Sequence, residues 1–147
     1  MRGILGKAGK GLRITAPFWC DYGYNIFVGD DFYSNHNLVI LDCAPITFGD
    51  HVFIAPNCCF SAAGHPLDVE QRNAGLEIAL PITVGSNVWI GAGVTVLPGV
   101  TIGDNTVIGA GSVVTRDIPS SVVAVGNPCR VLREITEEDK HKYKLAP

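Results

Sequence analysis

The chain has 147 residues, a length that fits a single domain. With 47% hydrophobic and 17% charged residues it is too apolar to be a disordered chain. A net charge of −3 argues against a nucleic-acid binder, which would present a basic face. The 16 valines and 13 isoleucines outnumber the 10 leucines, and 17 glycines and 9 prolines break the chain often. Short β-strands joined by turns are therefore predicted, not a helical bundle.

Taken in chain order, residues 1–20 read as a lead-in. Its basic residues (Arg2, Lys7, Lys10, Arg13) are interrupted by glycines, so it lacks the apolar core of a signal peptide. A six-residue period then begins weakly at Val28, Ser34 and Ile40, and returns at Phe48, Ile54 and Phe60, followed by Gly49, Ala55 and Ser61. Between the two sets lies a two-residue insertion around Cys43-Ala44-Pro45. The period is strictest at Val84, Ile90, Val96, Ile102, Ile108 and Val114, with Ile82, Val88, Val94 and Val100 two residues ahead of the first four. Residues 62–80 break it with a long excursion whose ends rejoin in register. A long loop that leaves a regular stack and returns in register points to function. Beyond Val114 the repeat fades. Thr136 is predicted to N-cap a short helix, acids first (Glu137, Glu138) and lysines after (Lys140, Lys142, Lys144), covering the open end of the stack.

A period of six is neither helical nor simply alternating. It fits a parallel β-helix in which each hexapeptide is one face of a coil. The repeated aliphatic side chain points inward, and the small residue beside it lets the backbone turn. Eighteen residues then make one three-faced coil. Residues 26–43, 46–61, 82–99 and 100–117 form four coils, with a partial fifth near Val122–Gly126. The domain divides into a lead-in (1–20), a β-helix (21–126) and a C-terminal cap (127–147). So small a core, with apolar outer faces, predicts a homo-oligomer. Ile78 to Gly103 carries no charge and is long enough to span a bilayer, but its glycines, prolines and strict period argue against a membrane partner.

Five cysteines (Cys20, Cys43, Cys58, Cys59 and Cys129) without a CxxC predict free thiols in a reducing compartment, the cytoplasm. The four histidines (His36, His51, His65 and His141) do not form an obvious ligand set, and no metal is expected. His65 stands out. It lies between Gly64 and Pro66 where the chain leaves the coil, and a neutral imidazole there can take a proton from a hydroxyl near pH 7. Gly91-Ala92-Gly93 and Gly109-Ala110-Gly111 do not complete a dinucleotide fingerprint and read as corners of the repeat. Arg130 and Arg133, with Arg116 upstream, offer guanidinium forks for phosphate groups.

The stretches PFWCDYGYNI (17–26), FYSNHN (32–37), LDCAPITFGD (41–50), FIAPN (53–57), GHPLD (64–68), PITVGSNVWIG (81–91), PGVTIGDNTVIGAGSVVTRDIP (98–119) and GNPCRVLREI (126–135) resemble, in order, the hexapeptide-repeat O-acetyltransferases of the maltose and galactoside group. The resemblance implies an all-β fold: a left-handed parallel β-helix with a short C-terminal helix, assembled as a homotrimer with sites between subunits. It implies acetyl-CoA as cosubstrate, no tightly bound cofactor, and direct acetyl transfer to a small hydroxylated acceptor. By resemblance His65 is the general base and Asn35 holds the acceptor and stabilises the transition state. Asp21, Asp42 and Trp89 match acceptor-side positions. The Ala92 N–H faces the thioester oxygen, and Ala110, Thr115, Arg116, Arg130 and Arg133 match coenzyme A contacts. Family members carry a helical segment ahead of the first of these stretches, whereas sixteen residues precede Pro17 here, so the acceptor side is expected to be more open.

Two alternatives to sugar O-acetylation stay open at this point. One is an acetyltransferase of a non-sugar acceptor such as an antibiotic. The other is a non-catalytic, truncated β-helix protein, although a remnant would be expected to lose Asn35 or His65.

Overall fold

The computed structural model describes residues 3–143. Arg2 and Lys144, invoked above for their charge, lie outside the described residues. The chain winds as a parallel β-helix of three faces. Its first coil is β1 (Lys7–Ala8), β2 (Arg13–Ile14) and β3 (Phe18–Cys20); its second is β4 (Ile26–Val28), β5 (Tyr33–Ser34) and β6 (Leu38–Leu41). The third is β7 (Ile46–Phe48), β8 (Phe53–Ile54) and β9 (Cys59–Ser61). An excursion follows, made of β10 (Ala63–Gly64), α1 (Val69–Asn73) and β11 (Ile78–Ala79). The fourth coil is β12 (Ile82–Val84), β13 (Trp89–Ile90) and β14 (Thr95–Val96), and the fifth is β15 (Thr101–Ile102), β16 (Val107–Ile108) and β17 (Val113–Val114). Ile118 bridges back to Ile102, β18 (Val122–Val125) adds to the second face, and β19 (Arg130–Glu134) turns back antiparallel along it.

The hexapeptide frame is the pairing register. Val84 pairs with Ile102, Ile90 with Ile108 and Val96 with Val114, each eighteen residues on. Phe48, Ile54 and Phe60 pair with Val84, Ile90 and Val96 across the excursion. These side chains are almost entirely buried. Burying each one is worth roughly 1.5–3 kcal/mol, and no coil can bury its own alone. In the second and third coils the interior is filled by rings: Phe32 packs edge-on to Phe48 at 5.1 Å, and Phe48 to Phe60 at 5.0 Å. Ser34 takes an inward position where neighbouring coils have Ile14 and Ile54. Its buried hydroxyl has no hydrogen-bond partner among the described residues.

Three expectations are corrected. Residues 7–20 are not a lead-in but a further coil, paired in register with the second. Their signature is faint because Ala8, Ile14 and Cys20 sit at the exposed end of the stack and are only half-buried. Second, the small residue after each inward aliphatic is not there to turn the chain. A Cβ on Gly85 would lie 2.2 Å from the Asp104 carboxylate and 2.8 Å from its backbone nitrogen, so glycine is required by the close approach of the next coil. The left-handed corner positions are instead Gly11, Asp31, His51, Asn87, Asn105 and Ser121 on one edge, and Asn37 and Asn57 with Gly93 and Gly111 on another. Third, a strand rather than a helix covers the last edge of the second face. The expected short helix does form after it, as the 3₁₀ helix Glu137–His141 with Thr136 at its N-cap, and its Asp139 carboxylate accepts from the Thr136 N–H at 3.0 Å. Among the described residues no helix is long and apolar enough to cross a membrane.

Candidate active site

Two edges of the prism carry the candidate residues. The corner between the second and third faces is built, coil after coil, by Asn35-His36-Asn37, Ala55-Pro56-Asn57, Gly91-Ala92-Gly93 and Gly109-Ala110-Gly111. The corner between the third and first faces is where the repeat is stretched. Cys20 to Val28 and Ile40 to Phe48 each span eight residues in place of six, and the excursion leaves from the same edge. Insertions in a solenoid collect on one side because the other corners are held by the next coil. Asp21, Asp42, His65, Thr115 and Arg116 all lie along this stretched edge.

At the first edge, Asn35 is half-buried and its Oδ1 accepts from the His36 N–H at 2.7 Å. It lines a groove of about 400 Å³ with Tyr33, Phe53, Ile54, Ala55 and Trp89. Trp89 is 55% exposed on the outer side of the second face, in register with Phe53, which in turn pairs with Tyr33. Phe53 and Tyr33 were not singled out from the sequence. Each immediately precedes an inward position of the repeat, as Trp89 does, so the period marks all three as one outward aromatic row. The Ala92 N–H donates to no acceptor among the described residues, while the flanking Gly91 and Gly93 N–H groups are both engaged. That leaves a free backbone donor of the kind that stabilises an oxyanion.

At the second edge, His65 is exposed at the base of the excursion. Its Nδ1 lies 3.3 Å from the Leu76 carbonyl oxygen. A carbonyl oxygen only accepts, so the contact is made by Nδ1–H, and in the neutral ring Nε2 then carries the lone pair. The excursion is a ribbon of β10 and β11 tipped by α1, whose N-cap Asp68 accepts from the Gln71 N–H at 2.9 Å. Asp21 is exposed and accepts from the Cys43 thiol at 3.5 Å. Asp42 departs from its expected role. It is fully buried, and its oxygens accept from the N–H groups of Asp21 (3.1 Å), Tyr22 (2.9 Å), Gly23 (2.7 Å) and Asn25 (3.3 Å). Its carboxylate shapes the loop that carries Asp21 and has no surface to offer an acceptor.

Of the residues expected to meet coenzyme A, Ala92 and Ala110 share the first edge, and Arg130 and Arg133 border it on β19. Thr115 and Arg116 are exposed on the other edge. Residues three apart on a regular strand face opposite ways. A register shift between Val123 and Ala124 sets Arg133 opposite Val123 and Arg130 opposite Val125, both outward positions, so the two arginines share one face. Arg130 donates to the Cys129 carbonyl at 2.7 Å. Arg133 is already engaged, binding both oxygens of Asp139 at 2.7 and 2.8 Å. This pairing holds the Asp139 carboxyl well below the usual carboxylate range. Burial pushes all five thiols up, joined at Cys20 and Cys43 by the neighbouring Asp42 and Asp21 carboxylates. A raised pKa lowers the thiolate fraction, so among the described residues no cysteine is pre-activated by its surroundings. Among the described residues no three His, Cys, Asp or Glu side chains gather to hold a metal.

Residues 81–116 match the bacterial transferase hexapeptide family (six repeats). The chain is 61% identical over 139 residues to a Saccharomyces cerevisiae protein assigned to the acetyltransferases, covering 95% of this chain and 71% of that one. It superimposes with a TM-score of 0.95 on a galactoside acetyltransferase in complex with coenzyme A, at 51% identity, covering 98% of this chain and 72% of that one. A maltose O-acetyltransferase from Clostridium difficile 630 gives a TM-score of 0.91 at 52% identity, covering 92% and 73%.

Proposed function

The chain belongs to the hexapeptide-repeat O-acetyltransferases, and on that premise we propose that it transfers the acetyl group of acetyl-CoA to a hydroxyl of a sugar or glycoside. The observation that carries the mechanism is the free Nε2 of His65, fixed by the Nδ1 contact to Leu76. Nε2 takes the proton of the acceptor hydroxyl as its oxygen attacks the thioester carbon. The Ala92 N–H donates to the developing oxyanion, and Asn35 holds the acceptor. Collapse expels the coenzyme A thiolate, which takes the proton back from His65. No covalent enzyme intermediate is needed. Asp21 and Trp89 flank the acceptor, and Arg130, Arg133, Arg116, Thr115 and Ala110 bind the cosubstrate.

The working form is a homotrimer. Asn35 and His65 lie on edges separated by the third face, whose strand Leu38–Leu41 alone spans roughly 13 Å at 3.3 Å per residue. The excursion also carries Leu67, Leu76 and Leu80 exposed, with 97% of Leu67 in solvent. A second copy that covers this arm and brings its own Asn35 to His65 satisfies both observations.

A panel of acceptors tests the reading, with acetyl-CoA present and release of free coenzyme A thiol as the readout. Galactosides or maltose are expected to give turnover, and light scattering is expected to give three times the 15.6 kDa chain mass. Turnover confined to non-sugar alcohols would move the acceptor to the antibiotic class. A monomer that is fully active would remove the shared site.

A further inference from the structure

Arg133 makes more contacts within the chain than a residue waiting for a ligand needs, and their arrangement is selective. One Nη1 hydrogen goes to Asp139 Oδ2 and the other to the Glu134 carbonyl at 2.9 Å; Nη2 gives one hydrogen to Asp139 Oδ1. Nη1 is thereby used up. Nε–H and the second Nη2 hydrogen have no partner among the described residues. Those two donors form one straight edge of the guanidinium, a fork that matches two oxygens of a phosphate. Asp139 cannot swing away freely, because its Oδ2 also accepts from the Thr136 N–H at 3.0 Å. The register shift on β18–β19 turns this assembly to the outer face that bears Val123, Val107 and Trp89.

We propose that Asp139 is a positioning residue for the cosubstrate. It clamps the far side of the Arg133 guanidinium so that the Nε–Nη2 edge is presented to a phosphate of acetyl-CoA. The inference rests on the acetyl-CoA reading above and adds to it a residue that never touches the ligand. A long arginine left free loses rotamer entropy on binding; one already held loses less.

The test compares acetyl-CoA with acetyl-pantetheine, which carries the thioester without the nucleotide phosphates. Asp139→Asn is expected to raise the KM for acetyl-CoA about five- to ten-fold, the weight of one ordinary hydrogen bond at a solvent-exposed site. The rise is expected with kcat nearly unchanged, and the preference for acetyl-CoA over acetyl-pantetheine falls by the same factor. Asp139→Glu is expected to restore most of that preference. Adding Asp139→Asn to Arg133→Ala is expected to cost nothing further, since the two act as one unit. An unchanged KM in Asp139→Asn would overturn the proposal. A lowered KM would overturn it too, by showing that Asp139 competes with the phosphate. Equal losses on both thioesters would reduce Asp139 to a structural role. Failure of the unsubstituted protein to bind coenzyme A would instead sink the acetyltransferase reading itself.

Discussion

Replacing Asp42 with asparagine exchanges one carboxylate oxygen for an NH₂ group and disturbs two of four hydrogen bonds. Each carboxylate oxygen accepts two backbone N–H groups, Oδ1 from Asp21 and Tyr22, Oδ2 from Gly23 and Asn25. Whichever way the new amide is turned, its NH₂ faces two of these donors. Two orphaned donors at about 1–3 kcal/mol each give a loss on the order of 3 kcal/mol. For a domain of this length, each kcal/mol moves Tm by about 2–4 °C. Asp42→Asn is therefore expected to lower Tm by roughly 6–12 °C, and Asp42→Ala, which orphans all four donors, by at least as much. Circular dichroism melts at fixed protein concentration read this directly. The KM for the acceptor is expected to rise in parallel, because the same donors shape the loop that carries Asp21. A Tm within about 2 °C of the unsubstituted protein, with a raised acceptor KM, would refute the reasoning and return Asp42 to direct acceptor binding.

His65→Ala removes an exposed ring, so its Tm is expected to stay within about 2 °C, while turnover falls roughly 10²–10⁴-fold. Turnover within a few-fold of the unsubstituted enzyme would take His65 out of the mechanism. Ser34→Ala removes a buried hydroxyl with no partner among the described residues and is expected to raise Tm by about 2–4 °C, for a gain of about 1 kcal/mol. A lower Tm in the Ser34 variant would mean that this hydroxyl is satisfied after all.

The sequence by itself determined the coil. A residue type repeated every six positions can only be stacked on its copies, and the observed pairs of Val84 with Ile102 and Ile90 with Ile108 are that repeat made spatial. It also marked the excursion and His65, because a chain that leaves a periodic stack and returns in register does so visibly. The first coil was hidden, since end coils bury half as much and tolerate residues such as Ala8 and Cys20 at inward positions. What only the tertiary structure decided is which side chains are free. Asp21 and Asp42 are both aspartates at the same corner, yet one faces solvent and the other is enclosed by four N–H groups. Arg130 and Arg133 share a face because of one register shift, and Asp139 commits one edge of Arg133 before any ligand arrives. Such outcomes depend on contacts between residues distant in sequence or on a single displaced residue in a strand. Local periodicity carries no record of either, because it reports only which face of its own strand a residue occupies.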